Sequence, residues 1–250
     1  MSVELRVLSL NLHKGFSMFN RRFVLHELKR AILDVSADLV FLQEVIGDHQ
    51  IHSENIEDWP EAPQYEFLAD SIWSDYAYGR NAVYTEGHHG NAILSKWPIK
   101  KWQNIDVSEH SSESRGILHC EIVVDEKSLH CLCVHFGLLE KFRREQLKKL
   151  QKYIQTNIMA TDPVIVAGDF NDWRLKAKEG FSDPSGFREV FEELDGRVRK
   201  TFPSLLPILS LDRIYFKNLS PNEVLPIDGK LWSKLSDHRP LAASFSFKVI

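Results

Sequence analysis

Along this chain, polar residues unsuited to a core recur where strongly apolar runs end: Asn11 after VLSL, Glu44 after LVFLQ, His135 after CLCV and Asp169 after VIVAG. Strand ends are where functional groups are set on a rigid scaffold. Asp169 and Asn171 stand two apart in GDFND, a spacing that a tight turn, unlike a regular helix, directs into one cleft. Farther on, Asp212 opens LDRIYF, and Asp237 and His238 stand together in SDHRPL. Carboxylates and amides are hard oxygen donors suited to a divalent cation, and an imidazole exchanges charge near neutral pH. Taken singly, each has a plain alternative, because Asn, Asp and Glu also cap helices and initiate turns.

The elements that must position these residues follow from hydrophobic periodicity. Residues 3–10 read as a buried strand, and the stretch from Arg21 to Ser36 carries Phe23, Leu25, Leu28, Ile32 and Leu33 at helical spacing. A strand restarts at Asp38 in DLVFLQEV. YEFLAD, NAVYT, GNAILS, IKKWQNIDV, GILHCEIVV and SLHCLCVHF read as short strands separated by Gly, Pro, Asn and charged residues. A second helix is expected from about Glu140 to Met159, with Phe142, Leu147, Leu150, Ile154 and Ile158 on one side and a solvated Lys/Arg/Gln-rich side opposite. PVIVAGDF, LDRIYF and PLAASFSFKV close the chain as strands. No repeat or low-complexity linker interrupts it, so residues 1–250 read as a single domain of two packed sheets flanked by helices.

Composition narrows the class. A hydrophobic fraction of 43% and a charged fraction of 26% argue against disorder and fibrous architectures. The start, MSVELRVLSL, lacks a basic region followed by a long apolar run, and no stretch has the roughly 18 apolar residues of a membrane span, so a cytoplasmic location is expected. The three cysteines, Cys120, Cys131 and Cys133, fall inside apolar runs without C-x-x-C spacing and read as reduced core residues. A net charge of −4 gives no global pull toward DNA or an acidic membrane, although a bound cation would change the potential inside a carboxylate-rich cleft.

Taken together and in order, the motifs resemble the endonuclease/exonuclease/phosphatase superfamily, the fold of deoxyribonuclease I. SLNLHKG, LQEV, HHGNAILS, VHFG, GDFND, LDRIYF and SDHRPL carry the match from residue 9 to residue 241. LQEV is common by chance, whereas SDHRP after an LDRIY element is distinctive. The resemblance implies an α/β four-layer sandwich: two mainly antiparallel β-sheets face to face, flanked by α-helices, with a cleft along one edge.

It also implies roles. A phosphoester bears negative oxygens that repel hydroxide, so a hard cation, Mg²⁺ or alternatively Mn²⁺, is expected, with Asn11, Glu44 and Asp237 as its metal residues and Glu44 the foremost ligand. Asp169 orients or deprotonates the attacking water, Asn171 donates to a phosphoryl oxygen, His135 contacts phosphate, and His238 contacts phosphate or transfers a proton while Asp212 fixes its ring. Asn91 and Arg115 are expected to contact substrate. His88 and His89 read as loop histidines, and His13, His26, His49, His52, His110, His119 and His130 receive no role.

Three function classes follow. The first is a metal-dependent hydrolase of a phosphodiester or phosphomonoester, favouring a small or lipid-linked phosphoester, because Leu205, Leu206, Pro207, Ile208 and Leu209 place an apolar lip before LDRIYF. A lipid headgroup or membrane surface is then a partner, and no obligate protein partner is expected. The second is a nuclease on DNA or RNA, although Asn20-Arg21-Arg22, Arg143-Arg144 and Trp173-Arg174-Leu175-Lys176 form no continuous basic and aromatic stripe. The third, a catalytically silent binding module, is disfavoured because every expected polar position is filled.

Overall fold

The structure is a computed structural model describing residues 3–70, 72–110, 113–177, 181 and 186–248. Two βαβ units organise it. In the first, β1 (Glu4–Asn11) crosses through α1 (Leu25–Val35) to the parallel β2 (Leu39–His49). Then come α2 (Gln50–Asn55), α3 (Gln64–Ala69), β3 (Asp75–Tyr84), β4 (Gly87–Ser95), β5 (Ile99–Asp106) and β6 (Gly116–Val124). In the second unit, β7 (Lys127–His135) crosses through α4 (Glu140–Asn157) to the parallel β8 (Val164–Asp169). The chain closes with β9 (Arg188–Glu189), α5 (Val190–Asp195), β10 (Asp212–Lys217), β11 (Leu219–Val224), α6 (Gly229–Trp232) and β12 (Leu241–Phe247).

Two six-stranded sheets result, in the orders β11-β12-β1-β2-β4-β3 and β5-β6-β7-β8-β10-β9. Each has a single parallel pair, β1/β2 or β7/β8, because a parallel neighbour requires a crossover while antiparallel neighbours need only a turn. The sheets pack through Leu5, Val7, Phe41, Ile93, Leu118, Cys131, Ile165, Ile214 and Phe245. A separate apolar layer joins α1 and α3 to the first sheet, and another joins α4 to the second. This is the expected four-layer sandwich. The three cysteines are unpaired and buried. Among the described residues, no helix is long and apolar enough to cross a membrane.

Local chemistry sets the registers that matter. Asp125 and Glu126, at φ 45° and 67°, form a two-residue turn between Val124 and Lys127, the backbone twist that suits a tight hairpin. That register carries through β7 to pair His135 with Asp169, and β10 pairs Asp212 with the same Asp169. Gly168 makes the close approach at φ 143°, where an added Cβ would lie 2.0 Å from the Val134 carbonyl oxygen.

Some elements differ from the expectation. YEFLAD is not a strand but the core of α3: a six-residue run alternating Tyr65, Glu66, Phe67 imitates the strand period, while Pro63 sets up a helical start. Buried Gln64 at its head accepts from Ile46 N at 2.9 Å and donates to Lys14 O at 2.9 Å, so this helix braces two segments of the cleft. The first helix starts at Leu25 rather than Arg21, because Phe23 bridges to Phe16 and Val24 N donates to Gly15 O. The helix from Glu140 stops at Asn157, with Ile158 already extended. His88 and His89 lie within β4 rather than in a loop, and LSPNEV forms the edge strand β11.

Candidate active site

The carboxyl ends of the two parallel pairs face each other across the sandwich, the edge where ligands gather in open sheets. Asn11 ends β1, and its Nδ2 donates to Glu44 Oε1 at 3.1 Å in its own sheet and to Asp169 Oδ2 at 3.2 Å in the other. Its Oδ1 accepts from His13 N at 3.0 Å. Glu44 occupies a bulge in the β2–β4 pairing and holds φ 55°, a left-handed conformation that turns its side chain into the cleft.

Asp169 is nearly inaccessible, and its Oδ1 accepts from Asn171 N at 2.8 Å. His135 Nε2 approaches Asp169 Oδ2 to 3.7 Å, and His238 Nε2 approaches it to 3.8 Å. On its other edge, His238 Nδ1 donates to Asp212 Oδ2 at 2.9 Å. Ser236 ties the carboxy-terminal motif in place, its hydroxyl donating to Asn11 O at 2.7 Å and accepting from His238 N at 3.1 Å. Asp237 Oδ2 stands 3.2 Å from His13 Nδ1.

Burial and charge set the protonation states. Burial works against a charged His238, yet the carboxylates of Asp212 and Asp169 outweigh it and push the ring up to about 10. An imidazolium at neutral pH results, not the near-neutral titration of a free histidine. His135 goes the opposite way, driven well down by burial and by the Arg115 guanidinium, so its approach to Asp169 is not an ion pair. Burial pushes Asp169 up to about 6 against the pull of His238. For Glu44, burial opposes charge, but His135, Lys14 and the Asn11 amide bring it down to about 2. Because His135 is neutral, Lys14 and Asn11 supply the pull that persists at pH 7.

The ligand atoms of Asp169, Asp212 and His238 lie within 4.8 Å of one another. Both His238 nitrogens are turned to carboxylates, Nδ1 to Asp212 and Nε2 to Asp169, so the ring serves that pair as a donor. The set that fits a hard cation is Glu44 with Asn11 and Asp237. Burial raises the Asp237 carboxyl against the pull of His238 and His13, and ionised Glu44 adds to the rise.

Other expected residues are placed differently. Asn91 is fully buried and donates to Gly116 O at 3.0 Å and Cys133 O at 3.2 Å, so it joins the two sheets rather than offering donors to a ligand. The Asn171 amide donates to Phe136 O at 2.9 Å, which spends one of its hydrogens on the adjoining strand end. Arg115 pairs with Glu113 at 3.1 Å, leaving its buried Nε without a partner. Three further residues bear on the cleft: His13 on Asp237, Lys14 on Glu44, and His89, whose imidazole is pushed down to about 4 by burial and by Lys14. His13 and Lys14 were signalled only by following Asn11.

The two facing sheets thus bring an acidic, imidazole-lined centre to one edge of the sandwich. The sequence profile of the Endonuclease/Exonuclease/phosphatase family matches residues 8–238, and the chain belongs to that family. The Escherichia coli (strain K12) protein described as "Uncharacterized protein YbhP" is 50% identical over 240 residues, covering 95% of this chain and 94% of its own. Among solved structures, the endonuclease/exonuclease/phosphatase from Beutenbergia cavernae superposes with TM-score 0.76 at 15% identity, over 98% of this chain and 72% of that one. The human Nocturnin catalytic domain with bound sulfate anion gives 0.74 at 19%, over 98% and 94%. D. rerio TDP2 complexed with single strand DNA product gives 0.69 at 18%, over 97% and 99%. At such identities these structures share the fold.

Proposed function

We propose that this protein is a Mg²⁺- or Mn²⁺-dependent phosphoesterase that hydrolyses a small or lipid-linked phosphodiester or phosphomonoester. The observation that carries the reading is that the Asn11 amide donates to Glu44 in its own sheet and to Asp169 in the other, while His238 approaches the same Asp169 oxygen. Glu44, Asp237 and Asn11 would hold the cation, which supplies charge neutralisation and positioning at the phosphoryl group. Asp169, oriented through both oxygens by Asn11 and Asn171, takes the proton of the attacking water. His238 donates from Nε2 to the phosphoryl oxygen where charge accumulates as the water oxygen bonds to phosphorus and the bond to the leaving oxygen breaks, that oxygen taking its proton from solvent, and Asp212 keeps the ring oriented and protonated. Neutral His135 and the remaining amide hydrogen of Asn171 add uncharged donors, and Arg115 contributes charge from the flank. Three unpaired buried thiols support a cytoplasmic setting.

A second reading, cleavage of single-stranded nucleic acid, draws support from exposed Trp173, over whose ring the Arg174 guanidinium stands at 4.4 Å. The test is a panel of phospholipid, inositol phosphate, nucleotide, single-stranded DNA and plasmid DNA with added Mg²⁺ or Mn²⁺. Turnover of a small or lipid phosphoester that stops with EDTA is the expected result. Nucleic-acid cleavage alone would transfer the assignment to the nuclease, and full activity after exhaustive metal removal would end the metal-dependent reading.

A further inference from the structure

His135, Asp169 and Asp212 stand side by side in register on three neighbouring strands of one sheet. Each is joined to an exposed apolar segment at that same edge. Leu138 and Leu139 follow His135, Trp173 and Leu175 follow Asp169, and Leu205, Leu206 and Ile208 precede Asp212 with exposures of 69%, 73% and 60%. Aliphatic side chains so far out in water are held there against the hydrophobic effect, and each of these segments runs directly into or out of a residue of the cleft.

Backbone anchors fix the lips to the site. Ser204 N donates to Asp237 O at 2.7 Å, its hydroxyl donates to Ser236 O at 2.6 Å, and Arg239 Nε donates to Ser204 O at 2.7 Å. Phe202, bridged to Leu209 across the turn, lays its ring 5.1 Å from that of His238. On the other side, Arg174 Nη1 meets Glu140 Oε2 at 2.7 Å and ties the Trp173 turn to the Leu138–Leu139 turn. Lys141, Arg144 and Arg174 are exposed beside these two turns.

We propose that this rim seats the protein on an anionic phospholipid surface, so that the phosphoester reaching Asp169 and His238 belongs to a membrane lipid. The inference rests on the phosphoesterase reading and narrows its substrate class. A lipid phosphoester is the substrate that joins a phosphate to a broad aliphatic surface, matching a phosphate-directed floor inside a leucine-rich rim. With Arg174 paired to Glu140, exposed Lys141 and Arg144 supply the positive charge that complements anionic headgroups.

The full chain carrying Asp169→Asn, which disables turnover and leaves the rim untouched, is floated with vesicles of phosphatidylcholine and phosphatidylglycerol. Co-flotation is expected, and adding Leu205→Glu with Leu206→Glu should weaken vesicle partitioning at least about tenfold. In the otherwise unaltered protein, the same two exposed substitutions should leave hydrolysis of soluble bis(p-nitrophenyl) phosphate within about twofold, which also reports that the chain is folded. Absence of co-flotation overturns the proposal, as does flotation unaffected by the two glutamates. A wild-type dimer that these substitutions split, without vesicle binding, overturns it in favour of self-association. Vesicle binding is read without turnover, so its failure is separate from failure of the hydrolytic reading, which the soluble ester reports.

Discussion

His238 bridges two carboxylates, with Nδ1 2.9 Å from Asp212 Oδ2 and Nε2 3.8 Å from Asp169 Oδ2, and its ring is held charged at neutral pH. Its Nε2 is the donor proposed for the phosphoryl oxygen. Asp169, whose burial holds it at about 6, is mostly ionised at pH 7, as the proposed acceptor of water's proton must be.

Removing that proton donor should cost much of the catalytic rate. His238→Ala is expected to lower kcat roughly a hundred- to ten-thousand-fold, the usual worth of acid–base assistance, and Asp212→Asn less. The two differ in pH behaviour. With Asp212 neutral the imidazolium loses its larger support, so the alkaline limb of the kcat profile should move to lower pH. An Asp212→Asn profile with an unmoved alkaline limb would show that this pair does not set the protonation of His238.

Cation binding should be visible without turnover. Metal at about 100 times Kd adds about 2.7 kcal/mol to a protein that binds it only when folded, a Tm rise of roughly 5 to 10 °C at this size. Mg²⁺ titration by calorimetry and thermal melting should show this in wild type and much less in Glu44→Gln. Equal responses in both proteins would remove Glu44 from the cation site.

Glu189 predicts a stability change with pH away from the cleft. It caps α5 by accepting from Glu192 N at 2.7 Å, and burial pushes its carboxyl up to about 7. A folded value above the unfolded one means that the neutral acid is favoured in the fold. The contribution is therefore complete below about 4.5 and lost as pH rises through about 7. Glu189→Gln keeps an acceptor for the cap without the charge, so it should raise Tm at pH 8 and change it little at pH 4.5. A uniform change at both pH values would count against the buried-acid account.

Gly168 tests the strand that delivers Asp169. Alanine there would place Cβ 2.0 Å from Val134 O at a φ of 143°. We expect Gly168→Ala to destabilise by about 3 kcal/mol or more in urea unfolding, because backbone opposes backbone and no side chain can yield.

Residue type and order determined much of this protein. Asn11, His135 and Asp169 were legible because each closes an apolar run, and strand periodicity is a local property of the chain. The motif order made the two-sheet sandwich legible as well. What tertiary structure decided depends on partners remote in sequence, as with Asn11 and Asp169, separated by 158 positions. The bulge that turns Glu44 inward arises from pairing with β4, and the donors of Asn91 are consumed by carbonyls of the opposite sheet. YEFLAD became helical because six residues carry too little periodicity to choose, and packing on the first sheet chose for them. The charge on His238 likewise belongs to the assembled fold: a histidine's proton is set by the carboxylates and the dielectric around it, and only the closed sandwich puts Asp212 and Asp169 on its two edges.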